Sequence, residues 1–442
     1  MRILLIEPMP SSPVEKAVLG MARTEPLALE LVAAGVDPRH EVRLLDLRVE
    51  PEALDAVLLE FRPDLAAAGA CTASFRAALR VLARAKEACG ALTAIGGHHP
   101  TLVPGDLAGT GVDFSVLGEA ELAFPALVES IDAGRRGAGV PGTARFPEGR
   151  MELAPPRPRA DLDALPVARR SLRTRYEGNY FRGRWRPVAS AYTSRGCPFR
   201  CRFCAMWKLY AGAYRLRSPA RVAEEVAALA EPYVDFADDN TLQDPAQSEA
   251  LARALLARAP GKTFKVYARA DAVVRRPDLV SLWREAGLGL ALVGFEAFRE
   301  SDLKRVRKGV SLDANEKAIE ILKDRGIEIA AYFLVHPDFD GGDFRALSEY
   351  VESRGLRQPV FTVLTPFPGT DYYDEVRAEL ITDDTDRFDL MHSVLPTRLP
   401  PEEFHREFAG LYRRAYGPGG PAEGGLPAAA LDALVGEEAW ES

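Results

Sequence analysis

The chain has 442 residues, 56 of them basic and 64 acidic, which gives a formal net charge of −8 at neutral pH. Hydrophobic residues make up 47% of the chain and charged residues 27%, proportions typical of a folded protein with two or three domains. The net acidity disfavours nucleic acid as the main partner, and no apolar run approaches the roughly 20 residues needed for stable membrane insertion.

The first 135 residues alternate short apolar runs with amphipathic helical patterns. Because the runs are continuous rather than alternating, they predict parallel strands covered by helices on both faces. We therefore predict an α/β domain with a doubly wound parallel sheet over residues 1–135. In such sheets, ligands bind at the carboxyl ends of the strands. The predicted strands are 3–6, 42–45, 65–70, 92–95 and 114–117.

Residues 136–187 are rich in glycine, proline and arginine without a sustained period, which predicts a linker. A second series of strands and helices follows, and its spacing predicts a partial (β/α)6 barrel over residues 188–385. We expect a short helical carboxyl terminus over residues 386–416 and a flexible tail over 417–442. The predicted barrel strands are 188–192, 234–237, 263–268, 290–295, 327–334 and 360–364.

Three of the five cysteines, Cys197, Cys201 and Cys204, lie in one segment, with three and then two residues between them. Thiolates this close can bind one soft metal centre. A 4Fe-4S cluster normally takes four cysteines, so three would leave one iron open to a small ligand. Structural zinc is the alternative, but zinc usually has four ligands and the nearest downstream histidine is His336. Five cysteines are too few for a disulfide framework, so we expect the reducing cytoplasm.

The CxxxCxxC segment resembles the signature of the radical S-adenosylmethionine (SAM) superfamily. The resemblance implies that Cys197, Cys201 and Cys204 hold three irons of a 4Fe-4S cluster, while the fourth iron chelates the amino and carboxylate groups of SAM. It also implies reductive cleavage of SAM to a 5'-deoxyadenosyl radical, which abstracts hydrogen from a small-molecule substrate. The implied partner is an external electron donor of the flavodoxin or ferredoxin type.

Five further residues match positions that contact SAM in relatives. Phe203, the aromatic residue before the last cysteine, matches a position near the adenine. Asp238 and Asp239 resemble the segment that helps to hold the SAM amino group, and carboxylates suit an ammonium partner. Arg269 is expected to face the SAM carboxylate, and Glu296 matches a position near the ribose hydroxyls. Packing is the alternative for Phe203, and a solvated helix cap is the alternative for the aspartates.

The front of the chain resembles the cobalamin-binding-type domain of a large branch of the same superfamily. Gly96, Gly97 and His98, followed by Gly118 and Glu119, resemble recurring loops of that domain, where glycines let the backbone approach a flat macrocycle. A tight turn without a ligand is the alternative. The D-x-H-x-x-G motif that supplies a histidine to cobalt in many cobalamin enzymes is absent, so a cobalamin bound here would lack that histidine.

Residues 386–405 and the stretch 204–219 resemble the hopanoid 3-methylase type within this branch. The resemblance favours cobalamin-dependent C-methylation in a biosynthetic pathway. The alternative is cobalamin-independent dehydration or deoxygenation of a sugar or aminoglycoside, as in the diol dehydratase type. Tyr210 and Tyr214 are candidate catalytic residues that could quench or relay a radical, with packing as their alternative role. A third hypothesis is a non-catalytic iron-sulfur or zinc-binding protein, which predicts no reductive cleavage of SAM.

Overall fold

The computed structural model describes residues 1–417 and 425–435. The chain divides into two units, the first formed by Met1–Ser12 and Pro26–Asn179. The second unit is formed by Pro13–Glu25 and the described residues from Tyr180 onward.

The regular elements of the described ranges are numbered here in chain order. The strands are β1 (Arg2–Glu7), β2 (Ala22–Arg23), β3 (Glu41–Asp46), β4 (Leu65–Gly69), β5 (Leu92–Gly96), β6 (Phe114–Val116), β7 (Thr143–Arg145), β8 (Glu152–Leu153), β9 (Phe181–Arg182), β10 (Val188–Ala191), β11 (Ser194–Arg195), β12 (Arg215–Leu216), β13 (Tyr233–Phe236), β14 (Thr263–Ala268), β15 (Leu288–Glu296), β16 (Glu328–Val335) and β17 (Gln358–Val363). The α-helices are α1 (Pro13–Met21), α2 (Leu27–Ala34), α3 (Leu54–Phe61), α4 (Phe75–Cys89), α5 (His98–Leu102), α6 (Ala120–Asp132), α7 (Met206–Leu209), α8 (Pro219–Ala228), α9 (Pro245–Arg258), α10 (Ala270–Arg275), α11 (Pro277–Ala286), α12 (Glu300–Arg305), α13 (Leu312–Asp324), α14 (Gly341–Ser353), α15 (Asp371–Val376), α16 (Pro401–Tyr416) and α17 (Ala428–Ala433). Short 3-10 helices lie at Pro104–Leu107, Pro147–Gly149, Arg170–Tyr176, Arg377–Glu379 and Thr385–Arg387.

The first unit is built on a seven-stranded sheet with the order β3-β1-β4-β5-β6-β7-β8. The first five strands of this order run parallel, and β7 and β8 extend the sheet antiparallel. On β1, Ile3 and Leu5 pack with α2 and α6, while Leu4 and Ile6 pack on the other face with α3 and α4. The predicted doubly wound parallel sheet is therefore confirmed.

The strand order of this sheet creates a point where the connections diverge. The chain starts in the middle of the sheet with β1, adds β3 on one side, and then returns to add β4 on the other. Open α/β sheets bind ligands outside the carboxyl ends of the strands at such a point. The loops that follow β1 and β4 flank this crevice, and the loop that follows β5 is next to them.

The structure differs from the predicted linker over residues 136–187. Strands β7 and β8 lie in this segment and continue the sheet of the first unit from β6. Further along, Arg173 forms a buried ion pair with Glu30 at 3.0 Å, and the Asp46 N–H donates to the buried Tyr176 hydroxyl at 3.1 Å. Strands of two or three residues and single polar anchors leave no periodic pattern in a sequence, which explains the difference.

The second unit is built on a six-stranded parallel sheet with the order β10-β13-β14-β15-β16-β17. Its strands follow one another in chain order, with the helices α8 to α14 in the connections, and this arrangement confirms the predicted partial barrel. The core lies on the helix-facing side of the sheet, where Phe236, Phe264 and Trp283 are fully buried. Helix α16 packs against β17, and the Tyr412 hydroxyl donates to the Phe361 carbonyl at 2.6 Å and accepts its N–H at 3.1 Å.

Side chains cap several helices of the second unit. The Asp244 carboxylate accepts the Gln247 N–H at the start of α9. At the start of α14, Asp340 and Asp343 form a reciprocal capping box. Such caps satisfy N–H groups that have no partner within a helix, so they fix where each helix begins after its strand.

The predicted tail over 417–442 falls partly on residues that the structure describes. Helix α17 lies in this range, and its Ala430 and Leu431 are buried in the core of the second unit. Residues 418–424 and 436–442 lie outside the described residues, so the predicted flexibility stays a prediction there. Within the described ranges, no helix is both long enough and apolar enough to cross a membrane.

We expect Gly97→Ala to lower the free energy of unfolding by about 2–4 kcal/mol, because its backbone is left-handed and an added methyl would overlap the Ala70 carbonyl. Gly69→Ala is the matched control, since a methyl group at Gly69 meets no atom within 4 Å. Chemical denaturation of the full chain measures both variants. Equal losses in the two variants would show that the close approach at Gly97 contributes nothing.

Candidate functional site

The three clustered cysteines lie in a loop that leaves the carboxyl end of β10, the first strand of the six-stranded sheet. Strands β11 and β12 pair antiparallel and bring the two ends of this loop together. Between them the chain carries Cys197, Cys201, Cys204 and the short helix α7. We call residues 196–214 the cysteine loop.

The start of the cysteine loop is fixed by a glycine. Gly196 has a φ of +87°, and a side chain there would overlap the Ala213 carbonyl on the returning strand of the loop. The Gly196 N–H donates to the Asp239 carboxylate at 2.8 Å. Only glycine permits this close approach, and the bond to Asp239 fixes the direction of the backbone that leads to Cys197.

The cysteine thiols lie in a poorly solvated environment. Cys201 is buried, and Cys197 and Cys204 are half-buried. Burial raises the pKa of Cys197 and raises that of Cys204 to about 12, with the neighbouring cysteines adding to the effect. A bound metal keeps a coordinating thiol deprotonated, so metal coordination would offset the free-energy cost of ionising these buried thiols.

The donor set fits an iron-sulfur cube. In the part of the chain that the structure describes, no three His, Cys, Asp or Glu side chains are grouped closely enough to hold a single metal ion. A 4Fe-4S cluster is held through several of its irons, so its cysteine ligands need not meet at one point. Three thiols on one closed loop therefore suit such a cluster.

Two buried carboxylates hold the backbone that leads into the cysteine loop. Asp238 accepts the Thr193 N–H at 2.6 Å, the Thr193 hydroxyl at 2.5 Å and the Ser194 N–H at 3.1 Å. Asp239 holds Gly196, and burial raises its pKa to about 6. The residues expected to meet the SAM ammonium are thus bonded to the backbone of this chain.

Arg269, at the carboxyl end of β14, lies against the cysteine loop. Its guanidinium carbon is 3.5 Å from the centre of the Phe199 ring, and Nη1 is 4.0 Å from the Cys201 sulfur. Nη2 donates to the Lys308 carbonyl at 2.9 Å, and Nε donates to Asp271 at 2.9 Å. The residue is 5% exposed. A fixed positive charge therefore lies beside the buried thiol.

Glu296, the last residue of β15, pairs with a lysine that the sequence did not indicate. Its Oε1 accepts from Lys308 Nζ at 2.6 Å, and both residues are buried. A side chain at Gly294 would overlap the Glu296 carboxylate, so the glycine makes room for this pair. Burial opposes the lysine charge, but Glu296 and Cys201 outweigh burial and raise the pKa of Lys308.

The aromatic candidates lie within or beside the cysteine loop. Phe203 packs against an apolar group that includes Val306 and Leu334. The Tyr214 hydroxyl donates to the Asn240 carbonyl at 2.9 Å, and burial raises its pKa. Tyr210 is half-buried at the end of α7. These contacts give Phe203 and Tyr214 a role in packing the loop.

In the first unit, the glycine-rich candidates lie at the carboxyl ends of β5 and β6. Gly96 ends β5, and Gly97 packs directly on the Ala70 backbone. Gly118 has a φ of +73°, and its N–H donates to the Thr101 hydroxyl oxygen at 2.9 Å. Glu119 is the next residue. His98 is exposed.

The geometry of both units agrees with comparisons to known proteins. The family model of the radical SAM superfamily matches residues 192–351, and that of the B12 binding domain matches residues 22–128. Hopanoid C-3 methylase of Methylococcus capsulatus is 33% identical over 407 residues, which cover 89% of this chain and 77% of that protein. The chain belongs to the radical SAM superfamily. It is a radical SAM enzyme of the branch with an amino-terminal B12 binding domain.

Solved structures share the fold of this radical SAM chain. One is TsrM, a radical SAM methyltransferase from Kitasatospora setae solved with cobalamin and a 4Fe-4S cluster. It has a TM-score of 0.74 at 17% identity, and the match covers 97% of this chain and 91% of the TsrM chain. Another is OxsB, a cobalamin-dependent SAM radical enzyme, with a TM-score of 0.72 at 15% identity. The match covers 93% of this chain and 66% of the OxsB chain. The likeness extends over both units.

The structure adds residues that the sequence analysis of this radical SAM protein missed. Phe199 supports the Arg269 guanidinium, and Lys308 pairs with Glu296. Lys308 ends a run of basic residues after α12, which reads as a solvated surface in the sequence. Thr193 was also missed, although its position just after β10 and before the cysteines is a signal that a search for loop anchors could have used.

We expect Asp238→Ala to lower the free energy of unfolding by about 2–4 kcal/mol, because the buried donors of Thr193 and Ser194 lose their acceptor. Asp338→Ala removes an exposed carboxylate that pairs with Arg305, and we expect a change within about 0.5 kcal/mol. Denaturation of both apo proteins gives the comparison. Wild-type stability in Asp238→Ala would show that these bonds do not hold the loop.

Proposed function

We propose that this radical SAM enzyme methylates a carbon atom of a small-molecule substrate, with cobalamin as the methyl carrier. The observation that carries the proposal is the presence, in one chain, of the anchored cysteine loop and a parallel sheet that matches the B12 binding domain. The name of the relative from Methylococcus capsulatus, a C-3 methylase, supports methylation over dehydration.

In this proposal, Cys197, Cys201 and Cys204 each bind one iron. When bound, the cluster and SAM supply a one-electron cleavage that yields the 5'-deoxyadenosyl radical, and cobalamin supplies the methyl group. The protein's part is to hold the three thiols on a closed loop with few backbone alternatives. The bonds of Asp238 and Asp239 to residues 193–196 support this positioning role.

The charged residues at the neighbouring strand ends suit the polar ends of SAM. Glu296 uses Oε1 for Lys308, and its Oε2 has no hydrogen bond to any residue in the described ranges, so it can accept a ribose hydroxyl. Arg269 places positive charge beside Cys201, where it offsets the negative charge of thiolate ligands and attracts a carboxylate. Because parallel strands end at one edge of the sheet, β13, β14 and β15 present these groups together.

Cobalamin fits the carboxyl ends of the strands in the first unit. Gly118 is exposed, and a side chain there would meet no protein atom within 4 Å, so a ligand can approach its backbone. Gly97 packs directly on the Ala70 backbone, which is possible only because glycine has no side chain. Its main role is therefore structural. We include Gly96, His98 and Glu119 in the proposed site because they flank these two glycines.

We also include an external electron donor of the flavodoxin or ferredoxin type in the proposal. The cysteine loop holds the ligands of only one cluster, so the electron that reduces this cluster has to come from another protein. Cys71 and Cys89 are the other cysteines, and both lie in the first unit. The low potential and free thiols of such a site require reducing surroundings, which favours the cytoplasm.

We expect Cys201→Ala to abolish the formation of 5'-deoxyadenosine after anaerobic reconstitution with iron and sulfide, because the cluster loses its buried ligand. Liquid chromatography of the product after addition of dithionite and SAM gives the measurement. Cys89→Ala is the matched control: its thiol donates to the Leu58 carbonyl in the first unit, and we expect wild-type product formation. Full activity in Cys201→Ala would contradict the cluster assignment.

We expect wild-type protein reconstituted with hydroxocobalamin to retain corrin absorbance through gel filtration and to form S-adenosylhomocysteine from SAM under reducing conditions. The physical reason is the open backbone at Gly118, which follows β6 at the carboxyl edge of the parallel sheet, where such sheets bind ligands. Corrin that separates from the protein, while 5'-deoxyadenosine still forms, would replace methylation by a cobalamin-independent reaction such as dehydration.

A further inference from the structure

The six-stranded sheet of the second unit has two chemically different faces. Residues 234, 236, 264 and 266 point toward the helices and join the apolar core. The alternate residues of the same strands occupy the opposite, inner face, where Asp235 and Lys265 are buried. An inner face lined only for packing would continue the apolar pattern, so these charges need an explanation.

Asp235 and Lys265 are neighbours in the register of β13 and β14 and form a direct ion pair. Their exposed fractions are 3% and 1%. The Asp235 carboxylate also accepts from Arg182, with Nε at 2.9 Å and Nη2 at 2.7 Å. One carboxylate therefore faces two cations in a site with little water.

The positive charge on this face is not fully matched. Asp238 and Asp239, the carboxylates that follow β13, are bonded to residues 193–196 at the entry to the cysteine loop. Within the described ranges, Lys265 donates to Asp235 as its only hydrogen-bond partner, so two of its three N–H groups have no oxygen acceptor. Nη1 of Arg182 likewise has no acceptor there. Burial lowers the pKa of Lys265 to about 8, as expected for a charge with incomplete compensation.

Two tyrosines, Tyr267 and Tyr332, lie near the two cations. Lys265 Nζ lies 3.4 Å from the centre of the Tyr267 ring. Tyr267 and Tyr332 are half-buried, and neither hydroxyl bonds to a residue that the structure describes. Trp185 stacks on Tyr233 and packs with Leu292. Unused donors thus lie next to an apolar surface, the combination that binds a small ligand with one charged end.

This surface leads to the cysteine loop. Lys265 and Tyr267 lie on the same face of β14, and Arg269, which follows the strand with an extended backbone, contacts the loop. At a rise of about 3.3 Å per residue, the four residues from Lys265 to Arg269 span roughly 13 Å. A small molecule held at Lys265 can therefore extend toward the thiols.

We propose that the inner face binds the substrate of this enzyme as a carboxylate, held by Lys265, Arg182 and the Tyr267 hydroxyl, with its apolar body against the rings of Tyr267 and Tyr332. The inference rests on the proposed function and specifies its substrate class: a small carboxylic acid with a ring or apolar body. An uncharged hydrocarbon would leave the buried N–H groups without acceptors, which disfavours it strongly.

The test uses hydrocinnamate and its uncharged amide, hydrocinnamamide, as probes of the full-length reconstituted protein. Binding is measured by ligand-observed NMR with SAM at saturation and without reductant, so that the SAM site is filled. We expect the carboxylate to bind at least about tenfold more tightly than the amide. Equal affinities overturn the proposal. Carboxylate binding that occurs only in a parallel titration without SAM also overturns it, because that binding belongs to the SAM site.

Variants locate the binding. We expect Lys265→Met to weaken carboxylate binding by about tenfold and to leave amide binding within about twofold. If that variant does not fold, Tyr267→Phe tests the same surface. Its hydroxyl has no partner in the described chain, so the melting temperature should not change, while carboxylate binding should weaken by about threefold or more. Unchanged affinity in Tyr267→Phe contradicts the proposal.

Tyr412→Phe is the matched control, because its hydroxyl bonds the Phe361 backbone on the helix-facing side. We expect a lower melting temperature and an unchanged preference for the carboxylate. The two readouts also separate the two proposals. SAM cleavage without a carboxylate preference overturns this inference alone, and a carboxylate preference without SAM cleavage overturns the proposed function alone.

Discussion

The arrangement of the site depends on the hydrogen bonds between two buried carboxylates and the backbone entering the cysteine loop. Asp238 and Asp239 follow β13, and they accept N–H groups from residues 193–196 that follow the neighbouring β10. Backbone N–H groups at the end of a parallel strand have no strand partner, and burial without an acceptor would cost each of them free energy. The sheet register therefore contributes to the position of Cys197 through these carboxylates, together with the pairing of β11 and β12 that closes the loop.

The same edge of the sheet collects the remaining charges in pairs. Lys308 meets Glu296, and Arg269 meets Asp271 as well as the cysteine loop. Isolated charges at this depth would shift toward their neutral forms, whereas paired ones keep their charge and a fixed direction. A site that must receive a zwitterionic cosubstrate benefits from this, because its polar groups are oriented before the ligand arrives.

The sequence was sufficient for features that are local or periodic. The spacing of Cys197, Cys201 and Cys204 and the continuous apolar strands indicated the family and both sheets, and the comparisons confirm these. It was insufficient where a side chain's role depends on a distant partner. Lys308 looks like one more surface charge in a basic run until the fold turns it toward Glu296. Residues 136–187 likewise showed no period, because their strands are two or three residues long.

Strand β14 shows how closely structure and chemistry are coupled in this unit. Phe264 and Val266 enter the helix-facing core, while Lys265 and Tyr267 alternate with them on the inner face, in line with Arg269. A slip of one residue in the register with β13 would exchange the two sets, placing a lysine in the apolar core and a phenylalanine beside Asp235. The buried ion pair on the inner face and the buried aromatic rings on the helix-facing side therefore favour the same register of β14 with β13. The packing that stabilises the barrel is in this way also the packing that places Lys265 beside Asp235 and Arg269 beside the cysteine loop.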